Sequence, residues 1–262
     1  MIADTFARLI QTGRNELAFV RRRWPRRAAD VSLAVVGVYL VASAMITLAA
    51  GVLLDPAMDR TWRTWSPMLR SAAKLLSDFG YSGVYLVPAL VAALWLAVIP
   101  WRRWPSRELL LKYNRLSFAW LVFSAVGLST LASTVLKHAI GRGRPLYASE
   151  YGIAAFRPFE GGWTFASFPS GHATAFGAVC AIAALLLPKW RWPILLLVMA
   201  LGSVRVIEGV HFPSDSVAGL LIGLGVTLLV ASVFRRLGLI FDPAISGIPR
   251  LKRTFRLTIQ RP

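Results

Sequence analysis

The chain consists of long apolar runs separated by short segments rich in arginine, tryptophan and proline. An apolar run of about 20 residues is typical of a transmembrane helix, because a helix needs that length to cross the hydrocarbon core of a bilayer. The pattern therefore predicts an all-α polytopic membrane protein whose six transmembrane helices form one bundle. The predicted spans are residues 31–54, 82–100, 116–136, 169–187, 194–206 and 216–234.

Two stretches outside these runs have a weaker apolar pattern. Residues 1–27 place apolar side chains at roughly helical spacing between arginines, which fits either an interfacial helix on an anionic leaflet or a solvated tail. Between the first two spans, Ser66-Pro67 is a helix-start signal, since serine caps helices and proline fits their first turn. Trp62 and Trp65 precede it, so we expect this helix to lie in the membrane interface.

The protein has 30 Lys and Arg residues against 12 Asp and Glu, a formal net charge of +18. Such a charge can indicate a nucleic-acid partner, but here the basic residues lie at the ends of apolar runs, where membrane topology accounts for them. Six spans put both termini on one side, and the segments on that side contain 21 of the 30 basic residues. The positive-inside rule makes that side cytoplasmic. The predicted organisation is a basic cytoplasmic tail over 1–30, a membrane domain over 31–234 and a second basic cytoplasmic tail over 235–262.

The single cysteine, Cys180, lies inside an apolar run. It can form no intrachain disulfide, and one thiol offers no thiolate metal site. The first apolar run begins only after about 30 residues and is longer than the core of a signal peptide, so we expect no cleavable signal peptide.

The fourth predicted span begins with Pro169-Ser170-Gly171-His172, a polar sequence at the start of a long apolar helix. We expect Pro169 in the first helical turn, where its missing N–H costs nothing. The start of a helix presents unpaired N–H groups and a partial positive charge, which suit an anion. Gly171 lets a ligand approach the backbone, and His172 can transfer a proton near neutral pH.

Two further clusters lie at the same predicted, non-cytoplasmic ends of spans three to six. Lys137 and Arg144 follow the third span. Arg205 lies at the end of the fifth span, and His211 and Asp215 lie between the fifth and the sixth. Lysine and arginine bind phosphate oxygens, arginine through its planar fork. His211 and Asp215 are four residues apart across a predicted helix start, so the carboxylate can reach the imidazole and fix its tautomer. Three cations, a helix start and two histidines suit phosphoryl transfer.

In this order and spacing, the three clusters resemble the signature of the type 2 phosphatidic acid phosphatase family. That family includes lipid phosphate phosphatases, bacterial acid phosphatases and vanadium haloperoxidases. One departure is Val204, since the family usually has serine before the third-motif arginine, and we expect it to weaken a supporting hydrogen bond without removing a catalytic group. The six-helix pattern extends the resemblance over residues 31–234. The matching residues are Lys137-x6-Arg144-Pro145, Pro169-Ser170-Gly171-His172 and Arg205-x5-His211-x3-Asp215.

The resemblance implies a role for each of these residues. His211 would attack phosphorus to form a phosphohistidine, Asp215 would orient it, and His172 would protonate the leaving oxygen. It also implies a metal-independent lipid phosphatase with no cofactor and no obligate protein partner, in the inner membrane of a bacterium with its active site facing the periplasm. The implied phosphate-binding residues are Lys137, Arg144, Ser170, Gly171 and Arg205.

Other functions remain compatible with the same residues. A lipid phosphotransferase would use the same phosphohistidine and differ only in whether water or an acceptor hydroxyl attacks second. A lipid transporter or flippase could use charged residues to line a path, but here the charges lie at helix ends and no inverted repeat is visible. The candidate substrates are undecaprenyl diphosphate, phosphatidylglycerol phosphate, phosphatidic acid and lipid A 1-phosphate, and we expect residues 146–166 to select among them.

Several neighbouring residues have simpler interpretations. We expect His138 and Arg142 to be solvated, or to contact substrate at most. Glu208 is expected to neutralise Arg205. The pair Gly219-x-x-x-Gly223 predicts close packing between helices of the bundle, since small residues let two backbones approach.

Overall fold

The computed structural model describes residues 31–98, 106–244 and 247–255. That part of the chain is helical, with two isolated β-bridges and no strand ladder, so the all-α prediction is confirmed. The α-helices are α1 (Leu33–Leu53), α2 (Asp55–Thr61), α3 (Pro67–Ser77), α4 (Ser82–Val98), α5 (Ser106–Ile140), α6 (Ala148–Tyr151), α7 (Gly171–Leu186), α8 (Arg191–Ile207) and α9 (Pro213–Arg236).

The chain is a membrane protein. Five helical segments of the described residues are long and apolar enough to cross a bilayer. The remaining predicted span, the fourth, corresponds to α7, which has 16 residues and is shorter than these five. A span count of six therefore remains a prediction. The five segments are Leu33–Thr64, Pro67–Val98, Glu108–Ile140, Pro188–Ile207 and Pro213–Arg236.

Helix α5 begins ten residues before the predicted third span. The predicted spans leave residues 101–115 as a basic connection, but the helix includes this stretch from Ser106 onwards. Leucine, lysine, arginine and glutamate predominate there, and all four have high helix propensity. No glycine or proline occurs between positions 106 and 126 to end the helix. Charge alone was thus a poor guide to where this helix starts.

The helix predicted after Ser66 is present as α3, and its location in the membrane interface remains a prediction. The side chain of Ser66 accepts a hydrogen bond from the N–H of Leu69 at 3.2 Å, and Pro67 occupies the first turn. This confirms the helix-start signal, because both residues take the positions that their chemistry favours. The predicted N-terminal helix or tail, residues 1–27, lies outside the described residues.

The chain divides into two compact units. One comprises residues 32–84 and 125–227 and contains every residue of the predicted site. The other contains the described residues of 85–124 and 228–255. In the second of these units the segment after α9 is folded rather than a simple tail, because Ile240 and Phe241 are fully buried and Phe241 pairs with Leu251.

Helices α7 and α9 approach each other through glycines. A methyl group added at Gly219 would collide with the backbone oxygen of Ser170, and one at Gly223 with that of Thr174. A side chain at either position would push the two helices apart. The prediction of close packing at this glycine pair is confirmed, and the contact holds the beginnings of α7 and α9 together.

Candidate active site

The start of α7 differs in one detail from the prediction. The helix begins at Gly171, and Ser170 is its cap, with an extended backbone and a side-chain oxygen that accepts from the N–H of Ala173 at 3.4 Å. The placement of Pro169 in the first turn is therefore wrong, because it precedes a residue that already lies outside the helix. The N–H of Ser170 donates to the backbone oxygen of Asp215 at 3.0 Å, which fixes the start of α7 against that of α9.

The first turn of α7 leaves room for a ligand. A methyl group added at Gly171 would meet no atom within 4 Å. Ser170 is fully buried, but a hydroxyl that accepts one hydrogen bond can still donate another. The turn therefore offers backbone N–H groups to an anion without steric obstruction at Gly171.

Lys137 and Arg144 converge on one carbonyl of the loop between α5 and α7. The ammonium of Lys137 and one guanidinium nitrogen of Arg144 donate to the backbone oxygen of Ala166, at 2.9 and 3.1 Å. Arg144 also donates to the carbonyls of Trp163 at 2.8 Å and Val210 at 3.1 Å. Since lysine has three N–H donors and arginine five, each cation keeps N–H groups beyond those that hold it in place.

Arg144 is nearly buried, and its guanidinium stacks 4.1 Å above the Trp163 ring. Burial, followed by repulsion from Arg205, lowers the pKa of Arg144 to about 10, which still leaves it charged at neutral pH. A planar cation held by carbonyls and an aromatic ring has little freedom to lose when it binds an anion. Arg144 is therefore well suited to a phosphate.

Arg205, at the end of α8, is held by two side chains. It donates to the Oε2 atom of Glu208 at 2.7 Å, which confirms the predicted pairing, and to the Oγ atom of Ser77 at 2.9 Å. Ser77 is buried at the end of α3, and no motif in the sequence pointed to it. The hydroxyl contact that Val204 cannot supply from the preceding position is thus made by a residue far away in the chain.

His211 and Asp215 lie side by side, and both are buried. The Nδ1 atom of His211 is 3.6 Å from the Oδ2 atom of Asp215, an ion-pair distance that is longer than a hydrogen bond. That carboxylate oxygen accepts instead from the Ser167 hydroxyl at 2.5 Å and from the N–H of Phe212 at 2.9 Å. A carboxylate beside Nδ1 favours the proton on that nitrogen, which leaves Nε2 unprotonated.

Burial keeps His211 neutral. Desolvation lowers the pKa of His211 to about 3, although the contact with Asp215 favours the charged form. The positive charges of Arg144 and Lys137 act in the same direction as burial. An uncharged imidazole has a free lone pair, so His211 is in the protonation state that a nucleophile needs.

His172 is half-buried in the first turn of α7, beside the short segment that joins α3 to α4. Its ring packs edge-on against Tyr81, with 4.7 Å between the ring centroids. A methyl group added at Gly80 would lie 2.8 Å from the Cβ atom of His172, so a residue larger than glycine would displace the imidazole. This connecting segment had no predicted role at the site.

The structure brings the predicted residues together. Lys137 and Arg144 act electrostatically on both histidines, and Arg205 acts on His172. The cations therefore share one electrostatic environment with the two imidazoles, at the end of α5 and α8 and the beginning of α7 and α9. The residues placed there are Lys137, Arg144, Ser170, Gly171, His172, Arg205, His211 and Asp215.

The expectation that Arg142 is solvated or contacts substrate at most is wrong. Arg142 is buried, and it forms ion pairs with Asp215 at 2.7 Å and with Asp55 at 2.8 Å. Asp55, a fully buried carboxylate at the end of the first apolar run, had not been considered at all. A single acidic residue next to a span was the available signal, because burying such a charge requires a partner. His138 is exposed, as expected.

The loop from 146 to 166 carries several aromatic side chains. Trp163 packs edge-on against Tyr147, with 6.1 Å between centroids, and presents about half of its surface. The guanidinium of Arg157 lies over the rings of Tyr151 and Phe165, at 4.9 and 4.6 Å. The loop is therefore packed on itself, and Trp163 links it to Arg144.

Within the described residues, no group of three or more His, Cys, Asp or Glu side chains is placed to hold a metal ion. The polar residues around His172 and His211 are instead mostly cations and hydroxyls. Such a donor set suits an oxyanion rather than a metal cation.

The chain is similar to several proteins of known function. The chain is 45% identical over 148 residues to lipid A 1-phosphatase of Rhizobium johnstonii, covering 55% of this chain and 61% of that protein. It is 44% identical to lipid A 1-phosphatase of Rhizobium etli over 55% of this chain and 63% of that protein. A third relative, undecaprenyl-diphosphatase of Sulfolobus acidocaldarius, is 30% identical over 47% of this chain and 66% of its own length. The chain thus matches somewhat less than two thirds of each of these relatives.

A solved transmembrane PAP2-type phosphatidylglycerolphosphate phosphatase from Bacillus subtilis aligns with 85% of this chain and 94% of its own length. The sequence identity is 22% and the TM-score 0.42. The family model described as PAP2 superfamily matches residues 118–238. That range contains all three motif clusters. Over these residues the chain is similar to the PAP2 superfamily.

Proposed function

We propose that this protein is a membrane phosphatase that hydrolyses a lipid-linked phosphate or diphosphate monoester through a phosphohistidine. The observation that carries the proposal is the pair of histidines in one cationic site. Among the described residues, a carboxylate lies beside the ring of His211 and none lies beside that of His172. This asymmetry assigns different roles to them. His211 is the nucleophile, and His172 is the acid and base.

In the first step the Nε2 lone pair of His211 attacks phosphorus, and the bond from phosphorus to the lipid oxygen breaks. The negative charge of the bound phosphate favours the protonated form of His172 among the surrounding cations. His172 then gives its proton to that oxygen, so the lipid leaves as a neutral hydroxyl, or as the shorter phosphate from a diphosphate. Positive charge develops on the attacking imidazole, where Asp215 stabilises it. Lys137, Arg144 and Arg205 stabilise the phosphate oxygens, together with the Ser170 hydroxyl and the Gly171 N–H.

In the second step water attacks the phosphohistidine. His172, now neutral, takes a proton from this water, the P–N bond breaks, and inorganic phosphate leaves. Each proton and electron pair is thus returned to its starting place on the enzyme. Neither step requires a metal ion. An acceptor hydroxyl in place of water would make the same site a phosphotransferase.

For location, we propose the inner membrane of a bacterium, with both termini in the cytoplasm and the site at the periplasmic surface. The support is the charge distribution, since 21 of the 30 basic residues lie in segments on the terminus side of a six-span arrangement. A site at helix ends also lies level with lipid headgroups, where a lipid phosphate can enter from the bilayer.

Lipid A 1-phosphate is the substrate to test first, because two relatives at 45% and 44% identity bear that activity in their names. The decisive assay measures phosphate release by the purified full chain on lipid A, undecaprenyl diphosphate, phosphatidylglycerol phosphate and phosphatidic acid. We expect release from at least one lipid, with no change when a chelator is added. Lipid A that loses its phosphate to another lipid, without free phosphate, would identify a transferase. Absence of both products on the whole panel would overturn the proposal.

We propose further that the 146–166 loop selects the lipid, since Trp163 contacts the phosphate-binding Arg144 and presents half of its surface. The substitution Trp163→Ala should change the ratio of the kcat/KM values for two lipids that the enzyme accepts. Phe159→Ala is a control in the same loop, because that side chain is mostly exposed. An unchanged ratio in the Trp163 variant would place selection between the helices instead.

A further inference from the structure

A buried chain of charges lies behind the candidate nucleophile. Arg142 donates from one guanidinium nitrogen to the Oδ1 atom of Asp215 and from the other to the Oδ2 atom of Asp55, at 2.7 and 2.8 Å. Both carboxylates are fully buried, and the arginine is 7% exposed. The three side chains therefore form one ionic unit, with His211 at the Asp215 end.

Ser214 forms hydrogen bonds with both Asp55 and Arg142. Its N–H donates to the Oδ1 atom of Asp55 at 3.0 Å, and its hydroxyl donates to the Oδ2 atom of the same residue at 2.6 Å. The hydroxyl oxygen also accepts from Arg142 at 2.7 Å. Asp55 is thus bound to both the arginine and the first turn of α9, the turn that also contains Asp215.

The two carboxylate oxygens of Asp215 have different partners, and these partners indicate the role of Arg142. One carboxylate oxygen faces His211 and is occupied by Ser167 and Phe212. The other oxygen is held by Arg142. Rotation of the carboxylate away from the imidazole would break the charge-assisted bond to the arginine, which is stronger than a neutral hydrogen bond. The orientation at His211 therefore depends on where Arg142 is held.

Asp55 determines where the guanidinium of Arg142 is held. An arginine bound to Asp215 alone could move with it, whereas the bond to Asp55 fixes the second arm of the guanidinium fork. Without the cation, two buried carboxylates would lie close together, repel each other and favour uptake of a proton. The arginine and Asp55 together keep Asp215 both charged and oriented.

We infer that Asp55 and Arg142 are positioning residues for His211, acting through Asp215. This inference rests on the proposed function, in which His211 is the nucleophile. It extends the working site beyond residues 118–238, the part that matches the superfamily, to a carboxylate at the start of α2. It also gives the first apolar helix a role in the chemistry, since Asp55 follows it directly.

The kinetic test is Asp55→Asn, which removes the charge and keeps the shape. We expect kcat to fall about 10- to 100-fold with little change in KM, a loss typical of residues that orient a reacting group through another. The matched control is Asp59→Asn, one turn later on α2, where the carboxylate faces a half-exposed Arg63 at 4.0 Å. That variant should keep the wild-type kcat.

A double-mutant cycle separates positioning from support of the fold. If Asp55 acts through Asp215, Asp55→Asn should cause no further loss of kcat in the Asp215→Asn protein. An equal loss in both backgrounds would show a structural role and overturn the inference. Should Asp55→Asn not fold, Arg142→Lys provides the same cycle, because it keeps the charge but loses the two-armed geometry.

A second readout does not depend on activity. Nitrogen NMR of histidine-labelled protein, with the His211 signal assigned from a His211→Gln variant, reports which ring nitrogen carries the proton. We expect the Nδ1–H form to dominate in the wild type and in Asp59→Asn, and to decrease in Asp55→Asn. An unchanged tautomer in Asp55→Asn would overturn the inference even if phosphate release is observed. If no lipid is hydrolysed, the tautomer shift still tests the inference by itself.

Discussion

The two histidines differ in their surroundings, and this difference predicts how their variants behave. His211→Ala should abolish turnover and any trapped phosphoenzyme, since loss of an attacking group costs several orders of magnitude in rate. His172→Ala should retain slow hydrolysis of substrates with a good leaving group, because such groups need little protonation. Asp215→Asn should fall between them. Rapid-quench trapping of labelled phosphoenzyme measures all three, and a phosphoenzyme on the His211→Ala protein would contradict the assignment.

The burial of His211 also predicts how stability depends on pH. The pKa of His211 is about 3 in the folded protein against an ordinary value of 6.5, so between these values the unfolded chain binds a proton that the folded protein does not. Stability should therefore be highest above 6.5 and decrease as the pH falls towards 3. Thermal unfolding in detergent at two pH values, one above 6.5 and one near 5, measures the effect.

His211→Gln is the control for that experiment, because glutamine has no proton to gain. The wild-type protein should lose more of its unfolding temperature between the two pH values than the His211→Gln variant does. Equal losses would mean that the imidazole is protonated in the folded protein.

The motif residues were predictable from sequence because each cluster is short and local. Lys137, for example, lies in the last turn of α5 and Arg144 lies four residues after the end of that helix. His211 and Asp215 lie just before and just after the start of α9. Asp55 and Ser77 were not predictable in this way. Asp55 is 159 positions away from its partner Ser214, and Ser77 is 128 positions away from Arg205. Nothing in a local pattern records contacts between such distant residues.

At the scale of elements, the segment between α3 and α4 forms one wall of the site. Ser77, before this segment, holds Arg205, while Gly80 and Tyr81 contact His172. Helix α3 was predicted only as an interfacial anchor. It ends beside Arg205, a predicted phosphate-binding residue, and the segment after it contacts His172, the predicted general acid. The helix itself was predicted correctly, but the contacts with His172 and Arg205 were not.

Gly80→Ala tests this wall. The added methyl would lie 2.8 Å from the Cβ atom and 2.9 Å from the Cδ2 atom of His172, and 2.9 Å from the Cε2 atom of Phe176, so both rings must shift. We expect kcat to fall by about 100-fold, as small displacements of a catalytic group can cause. Gly83→Ala is the matched control, because a methyl there meets nothing within 4 Å, and it should keep wild-type kcat. Full activity of Gly80→Ala would show that His172 does not need its present position.

At the scale of the whole molecule, the apolar pattern predicted where most helices lie but not where each one starts. The helices were long and apolar enough to detect, yet α5 extends back into a basic segment, and residues after α9 are folded. Both differences involve polar or mixed stretches, in which helix propensity and burial of a few apolar side chains decide the structure. Phe241, fully buried after the last span, is an example.

The last prediction concerns topology, and it follows from the charge count. Reporter fusions after residues 110 and 190 should behave as cytoplasmic, and a fusion at 155 as exported, because 21 of the 30 basic residues belong to segments on the terminus side. The fusion at 190 is the most informative, since it lies directly after the 16-residue helix α7, which is short for a span. An exported reporter there would mean that α7 does not cross the bilayer. The ends of α7 and α8 that hold His172 and Arg205 would then require a different arrangement in the membrane.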